Sequence, residues 1–236
     1  MSTQKNRATI RWGVGNKVVV EVLRKPIVVN GQLSSAAITR NRQTQTSKYY
    51  YPFQLLEEKN GYYLIRMVDD TFGWVRKGDT KPVKTADYWK GVKYFLRGKM
   101  ISAKLPSLSK IKKILQSQKS IPYIWGGNTE KGMDCSAFNQ GIMLMVLGIL
   151  LPRNSKDQKK CGIAVKKNAF CPLDTLFFVH KKSGKSHTGI WFENEVWHFC
   201  LDNLGLTHES LGSLKKRYRF TGSRRLFHSP TDKKKC

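Results

Sequence analysis

IPYIWGGNTEKGMDCSAFNQGIMLMVLGILLPRNS, residues 121–155, is the stretch on which the fold turns. A turn carrying Gly126 and Gly127 leads to Asp134-Cys135-Ser136, and soon afterwards to the run Gly141 to Leu151 with hardly a polar atom. That run is the longest apolar stretch in the chain, yet it falls short of the ~18 residues a membrane span requires. Its length suits a buried helix. If the helix opens at Cys135, the thiol lies at the positive end of the helix dipole, beside backbone N–H groups without helical partners. That position favours the thiolate and lowers a cysteine pKa from its free value of ~8.5. The glycine pair lets the loop pass close to a substrate, and the apolar run holds the cysteine rigid.

A thiolate nucleophile needs a base, and the base needs an orienting partner. Three strands are predicted downstream: LDTLFFVH (173–180), SHTGIWF (186–192) and EVWHFCL (195–201). His187 opens the second strand and is followed by the small residues Thr188 and Gly189, which leave its ring accessible. A two-residue turn at Glu193-Asn194 sets Phe192 opposite Glu195, Ile190 opposite Trp197 and Gly189 opposite His198. His187 and Gly189 share a face by the period of two, so His198 becomes a diagonal neighbour of His187. A one-residue slip would send the two rings to opposite faces. Taken singly, each residue has a plainer reading: Cys135 as core filling, His187 as a polar strand end, His198 as a satisfied core histidine. A zinc site from His198, Cys200 and other Cys or His lacks the ligand spacing, so neither a metal nor a cofactor is expected.

Upstream, SLSKIKKILQSQ carries Ile111, Ile114 and Leu115 at helical spacing behind a serine cap, predicting a helix over 108–118. Helices followed by an antiparallel sheet make an α+β pattern. Residues 8–88 read differently, as short β segments: ATIRWGV, KVVVEVL, YPFQLLEE, GYYLIRMV and FGWVRK, separated by Asn-Gly and Asp-Asp-Thr turns. Five or so such strands suggest a small barrel. The expected division is a β-barrel domain over 1–88, a linker over 89–106, the α+β domain over 107–230 and a frayed tail over 231–236.

Composition sets outer limits. At 236 residues, with 40% hydrophobic content, the chain can bury a core, and disorder is excluded as its main state. Forty-three Lys and Arg against 16 Asp and Glu give a formal charge of +27, which draws anionic partners. The five cysteines, odd in number and without a CxxC pair, fit a reducing compartment better than a disulfide framework. The start, MSTQKNRATIRWGVGNKVVV, lacks the apolar stretch of a secretory leader. As written, the chain is expected in the cytoplasm, or in the cell envelope if an export segment has been trimmed.

The motifs, in order, sharpen this. Tyr123-Ile-Trp-Gly-Gly, Met133-Asp-Cys-Ser-Ala-Phe, Leu151-Pro-Arg-Asn-Ser, Leu173-Asp-Thr-Leu-Phe-Phe, Ser186-His-Thr-Gly-Ile-Trp and Trp197-His-Phe together resemble the NlpC family of papain-fold cysteine peptidases of bacterial cell-wall peptides, over roughly residues 107–228. The resemblance implies Cys135 as nucleophile, His187 as general base and His198 as the orienting residue. It implies Tyr123 as the tyrosine whose hydroxyl helps the oxyanion, with Asp134 and Ser136 helping to shape the substrate site. One departure is visible: Ala137 stands where the family pattern has glycine, and adds only a methyl group. Arg153 is a candidate clamp for a substrate carboxylate through bidentate pairing, or a structural arginine bonding nearby carbonyls.

Residues 43–75 resemble the bacterial SH3-like domains that precede some NlpC catalytic domains, on Thr44-Gln45, Leu55-Leu56-Glu57-Glu58, Asn60-Gly61-Tyr62 and Asp69-Asp70-Thr-Phe-Gly-Trp-Val. The pairing is similar to peptidases that cut between γ-D-glutamyl and the diamino acid of stem peptides. The partners implied are peptidoglycan stem peptides and muropeptides, with no need for nucleic acid and no membrane span. Some of those enzymes hold the free amine of L-Ala with an acid just before the Thr-Gln pair. Asn41 stands there in this chain, leaving Asp69 and Asp70 as substitutes. Two other classes compete: a catalytically silent module binding cell-wall or other polyanions, and an amidase or acyltransferase using the same thiol.

Overall fold

The computed structural model describes residues 11–27, 34–47, 52–84, 94–95, 101–102, 105–166 and 169–228. The chain divides into two compact units, Met1–Trp89 and Lys90–Cys236.

In the first unit, β1 (Arg11–Gly15), β2 (Val20–Leu23), α1 (Ser35–Asn41), β3 (Arg42–Thr46), β4 (Phe53–Lys59), β5 (Tyr62–Arg66), β6 (Phe72–Arg76) and β7 (Thr80–Pro82) follow in order. The strands form one sheet in the order β3-β2-β6-β5-β4-β1-β7. Val20, Val22, Phe53, Leu55, Ile65, Met67 and Val75 make its core. All five predicted segments carry strands. The turn between β4 and β5 takes positive φ at both Asn60 and Gly61, as a tight right-twisted hairpin requires. The helix α1 and the strands β3 and β7 were missed. β3, RQTQT, buries polar side chains in place of an apolar alternation. Its Arg42 pairs with Glu21 at 2.6 Å, and Gln45 donates to the same carboxylate at 2.9 Å. Asn41 donates its amide to Lys25 O at 2.7 Å. Asp69 accepts from Thr71 N–H, and Asp70 pairs with Arg66, so both acids are engaged within their own unit.

The second unit runs β8 (Tyr94–Phe95), β9 (Ile101–Ser102), α2 (Leu108–Gln116), β10 (Asn128–Thr129), β11 (Gly132–Met133), α3 (Cys135–Leu147), β12 (Ile149–Leu150), α4 (Ser155–Gln158) and β13 (Ile163–Ala164). It continues with β14 (Thr175–His180), β15 (Ser186–Phe192), β16 (Glu195–Cys200), β17 (Gly205–Glu209), α5 (Leu211–Arg217), β18 (Tyr218–Arg225) and β19 (Phe227–His228). A six-stranded sheet in the order β13-β18-β14-β15-β16-β17 carries α3 against β15 and β16. Phe138 and Ile142 of the helix join Ile190, Trp197 and Phe199 of the sheet in one core, which also takes Ile111 and Leu115 from α2. The mix of helix and sheet agrees with the α+β expectation.

Two boundaries differ from the sequence reading. The apolar run is not all helix: Gly148 adopts the left-handed conformation at φ 68°, caps α3, and releases Ile149–Leu150 as a strand. The stretch read as a linker supplies β8, which pairs in parallel with β12, and β9, which pairs in parallel with β19. The tail from 231 lies outside the described residues.

Candidate active site

Asp134 fixes where α3 begins. Its side chain accepts from Ser136 N–H and Ala137 N–H, satisfying two of the donors a helix start leaves open. Cys135 is therefore the first helical residue, as expected. The loop before it is folded tightly on itself. Gly126 takes φ 73°, and a Cβ on Gly127 would come within 2.6 Å of Gly132 O. The glycine pair thus serves a close loop-to-loop approach, a different reason from the passage beside substrate inferred from sequence.

Arg153 locks this corner. Its guanidinium meets both oxygens of Asp134, at 3.0 and 2.8 Å, and also bonds Ser136 Oγ at 2.8 Å and Gly127 O at 2.9 Å. The residue is 2% exposed. Of its two sequence readings, the bond to a nearby carbonyl is the one seen, and the bidentate partner is the protein's own Asp134. Asp134 and Ser136 are likewise buried and turned toward one another, with Ser136 Oγ donating to Asp134 at 2.9 Å.

The histidines arrive by strand register. Ile190 pairs with Trp197 and Phe192 with Glu195, around a turn with positive φ at Glu193 and Asn194. This is the predicted register, and it brings His187 Nε2 to 2.9 Å from His198 Nδ1. Gly189 makes the approach possible, since a Cβ there would lie 2.8 Å from Trp197 O and 2.9 Å from His198 Cβ. The helix start and this strand meet near Thr188, whose backbone N–H favours the ionised form of the Cys135 thiol. Thr188 Oγ1 also accepts from Asn139 of α3 at 2.7 Å.

Three contributors lay beyond the strands read from the sequence. His198 Nε2 lies 3.2 Å from Glu209 Oε1 at the end of β17, and the same carboxylate oxygen takes a short hydrogen bond from Arg217 of α5. Tyr218 stacks on His187 with ring centroids 4.7 Å apart. The segments GLTHE, LGSLKKR and YRFTGSRR that carry them are too polar and basic to announce core elements.

Beside the pair lies a groove of about 180 Å³, lined among others by Tyr123, Trp125, Lys185, His187, Asp202 and Tyr218. Tyr123 is held there by its N–H bond to Leu204 O at 2.9 Å and by a bridge to Met133. Burial raises the pKa of its hydroxyl, and the neighbouring Cys135 and Asp134 add to the effect, keeping it protonated.

Burial also governs the nucleophile. It pushes the Cys135 thiol up to about 12, reinforced by Asp134, while the Thr188 and Ser136 N–H groups and Arg153 pull the other way. Burial likewise holds His187 well below its ordinary value, with His198 next in effect. The helix mouth is where the sequence placed it, but its pull toward thiolate is outweighed by desolvation. The closed site favours a neutral thiol and neutral imidazoles. Among the described residues, no group of three His, Cys, Asp or Glu is arranged to hold a metal ion. No described helix is long and apolar enough to cross a membrane.

Comparison with known proteins extends this geometry. The NlpC/P60 family pattern matches residues 120–233. The probable endopeptidase NlpC of Escherichia coli is 32% identical over 114 residues, which are 48% of this chain and 73% of that protein. The E. coli murein DD-endopeptidase MepS/murein LD-carboxypeptidase is 29% identical over 108 residues, 46% of this chain and 57% of the relative. A γ-D-glutamyl-L-lysine dipeptidyl-peptidase of Bacillus cereus is 42% identical over 60 residues, 25% of this chain and 18% of that one. The first unit lies outside the family match. With a cysteine opening a capped helix, a paired histidine couple on the adjoining sheet and this likeness to a relative along most of its length, the chain belongs to the NlpC/P60 family of cysteine peptidases.

Proposed function

We propose that the protein hydrolyses peptidoglycan stem peptides at the bond between γ-D-glutamyl and the diamino acid. Cys135 is the nucleophile and His187 the base. His198 orients His187, and Tyr123 completes the oxyanion site with the Cys135 backbone N–H. The observation that carries the catalytic part is the His187–His198 hydrogen bond, on the strand that packs against the helix opened by Cys135. As substrate enters, the thiol proton passes to His187 and the sulfur attacks the carbonyl. The imidazolium then gives that proton to the leaving amine, and water cleaves the thioester. The tetrahedral oxyanion meets the Tyr123 hydroxyl, which burial keeps protonated and able to donate. Asp134, Ser136 and Arg153 act behind this site, setting the position of the helix start.

The γ-glutamyl bond is supported by the 42% identity over 60 residues to a γ-D-glutamyl-L-lysine dipeptidyl-peptidase, and by the resemblance of residues 43–75 to the SH3-like domains that accompany such enzymes. A second reading, cleavage of a D,D or L,D bond, is favoured by the longer match to the DD-endopeptidase/LD-carboxypeptidase. Mass spectrometry of products from L-Ala-γ-D-Glu-diamino acid tripeptide, the tetrapeptide and glycan-linked, cross-linked stems separates them. Release of the L-Ala-γ-D-Glu dipeptide is expected. Trimming of the terminal D-Ala or splitting of cross-links, with the tripeptide intact, would establish the second reading. Intact substrates, together with a Cys135 no more reactive to iodoacetamide than Cys200, would leave only a binding module.

A further inference from the structure

We infer that Glu209 is a positioning residue that fixes which nitrogen of His187 carries the proton, acting through His198. The inference rests on the reading of His187 as the base and concerns the state of its ring before reaction. The contacts form an unbroken line. His187 Nε2 meets His198 Nδ1 at 2.9 Å, His198 Nε2 meets Glu209 Oε1 at 3.2 Å, and Arg217 holds the same carboxylate oxygen.

An ionised carboxylate only accepts hydrogen bonds, so the hydrogen between Glu209 and His198 belongs to His198 Nε2. A neutral imidazole has one N–H, which leaves His198 Nδ1 as an acceptor. The hydrogen between the two rings must then come from His187 Nε2. His187 Nδ1 is left with a free lone pair, the form able to take a proton from a thiol. One carboxylate thereby selects one of two tautomers on each of two rings.

Both premises are supported by the surroundings. His198 is wholly buried, which disfavours its charged form. Glu209 is drawn upward by burial, but hydrogen bonds from Ser213 and Arg217 and the Arg217 charge outweigh that and keep it ionised. Asp202, the other acid of this corner, lies 4.0 Å from Arg217 Nε. The opposite arrangement would face the lone pair of His198 Nε2 against a carboxylate inside a buried site, a repulsion with nothing to offset it. Tyr218, stacked on His187, keeps the plane of the ring while its proton is assigned.

The test is a two-bond ¹H–¹⁵N correlation spectrum of the full chain carrying Cys135→Ala, in which each ring nitrogen reports whether it is protonated. Both His187 and His198 are expected as Nε2–H forms. Adding Glu209→Leu should convert His187 wholly or partly to the Nδ1–H form. In the enzyme with its thiol, Glu209→Leu should lower kcat roughly 10²-fold with KM within about twofold, the scale of a misplaced acid–base group. The alkylation rate of Cys135 should fall with kcat. Glu209→Gln keeps an amide oxygen able to accept from His198, so it should retain the parent spectrum and recover most of the rate. Should Glu209→Leu fail to fold, Glu209→Ala serves for the same readouts. An unchanged His187 pattern after loss of the carboxylate, or a Gln variant as altered as Leu, would overturn the inference. Spectra and alkylation need no substrate, so an enzyme inactive on stem peptides but showing the expected tautomers would refute the substrate reading alone.

Discussion

Two polar regions flank Cys135, and they are built on opposite plans. Asp134, Ser136 and Arg153 form a closed knot: the guanidinium meets both carboxylate oxygens, a hydroxyl and a carbonyl, and the whole is out of water. The line from His187 through His198 to Glu209 and Arg217 is open. It starts at a ring with a second nitrogen that His198 does not engage and ends at an arginine side chain 40% exposed. A charge cancelled within a knot can hold a helix in place but has nothing left to give a substrate. A polarised line with a spare end can move a proton. Burial alone does not distinguish the two; the difference lies in how each network ends.

Removing the sulfur gives the largest expected effect. Cys135→Ala should lose about 10⁴-fold or more in kcat/KM, as removal of a nucleophile does in other enzymes, while its urea midpoint stays near the parent's. A midpoint that fell sharply would mean the thiol belongs to the scaffold. Arg153→Met tests the other side. It leaves Asp134 buried without its cation, a change that typically costs about 3–5 kcal/mol, read from urea unfolding. A stability equal to the parent's would remove the knot from the comparison. Tyr123→Phe should cost roughly 3 kcal/mol of transition-state stabilisation in kcat, the scale of one oxyanion donor, with no matching loss of stability.

Acid should probe the open line through stability, not rate. Burial, partly offset by Glu209, lowers His198 to about 4 in the folded protein. The unfolded chain binds its proton near ~6.5. Between those values the unfolded state carries more protons, so stability is fully present above pH 6.5 and is lost as pH falls toward 4. Each ring contributes at most about 1.4 kcal/mol per pH unit, and His187, lowered for the same first reason, adds with the same sign. His198→Asn should flatten the slope of the urea midpoint between pH 7 and 4. A slope unchanged by that substitution would place the acid sensitivity elsewhere.

The part of this site legible in the sequence was the part governed by local rules. Asp134 before Cys135 is a helix cap, and a two-residue turn with period-two strands fixed the His187–His198 diagonal; both appear as expected. What stayed hidden depended on distance along the chain. Arg153 stood out in the sequence as a clamp or a structural arginine, but its carboxylate partner Asp134 lies 19 positions away, and Glu209 has no meaning until β17 lies against β16. The ionisation of Cys135 was misjudged for a related reason. The helix end is written in the sequence, whereas the exclusion of water around the sulfur is a property of the whole core. In the first unit β3 escaped notice because its buried face is made of threonine and glutamine, held by an arginine and a glutamate, and hydrophobic alternation does not register such a face.

The parallel pairings of β8 with β12 and of β9 with β19 bear on how the catalytic half is handled at the bench. A fragment started at residue 107, where the sequence suggests the domain begins, would be cut off from both partner strands. Bare backbone edges would be left beside the end of α3 and after β18, ready to zip onto neighbouring chains. Expression of this half should begin upstream of Tyr94, or sticky, poorly behaved material can be anticipated.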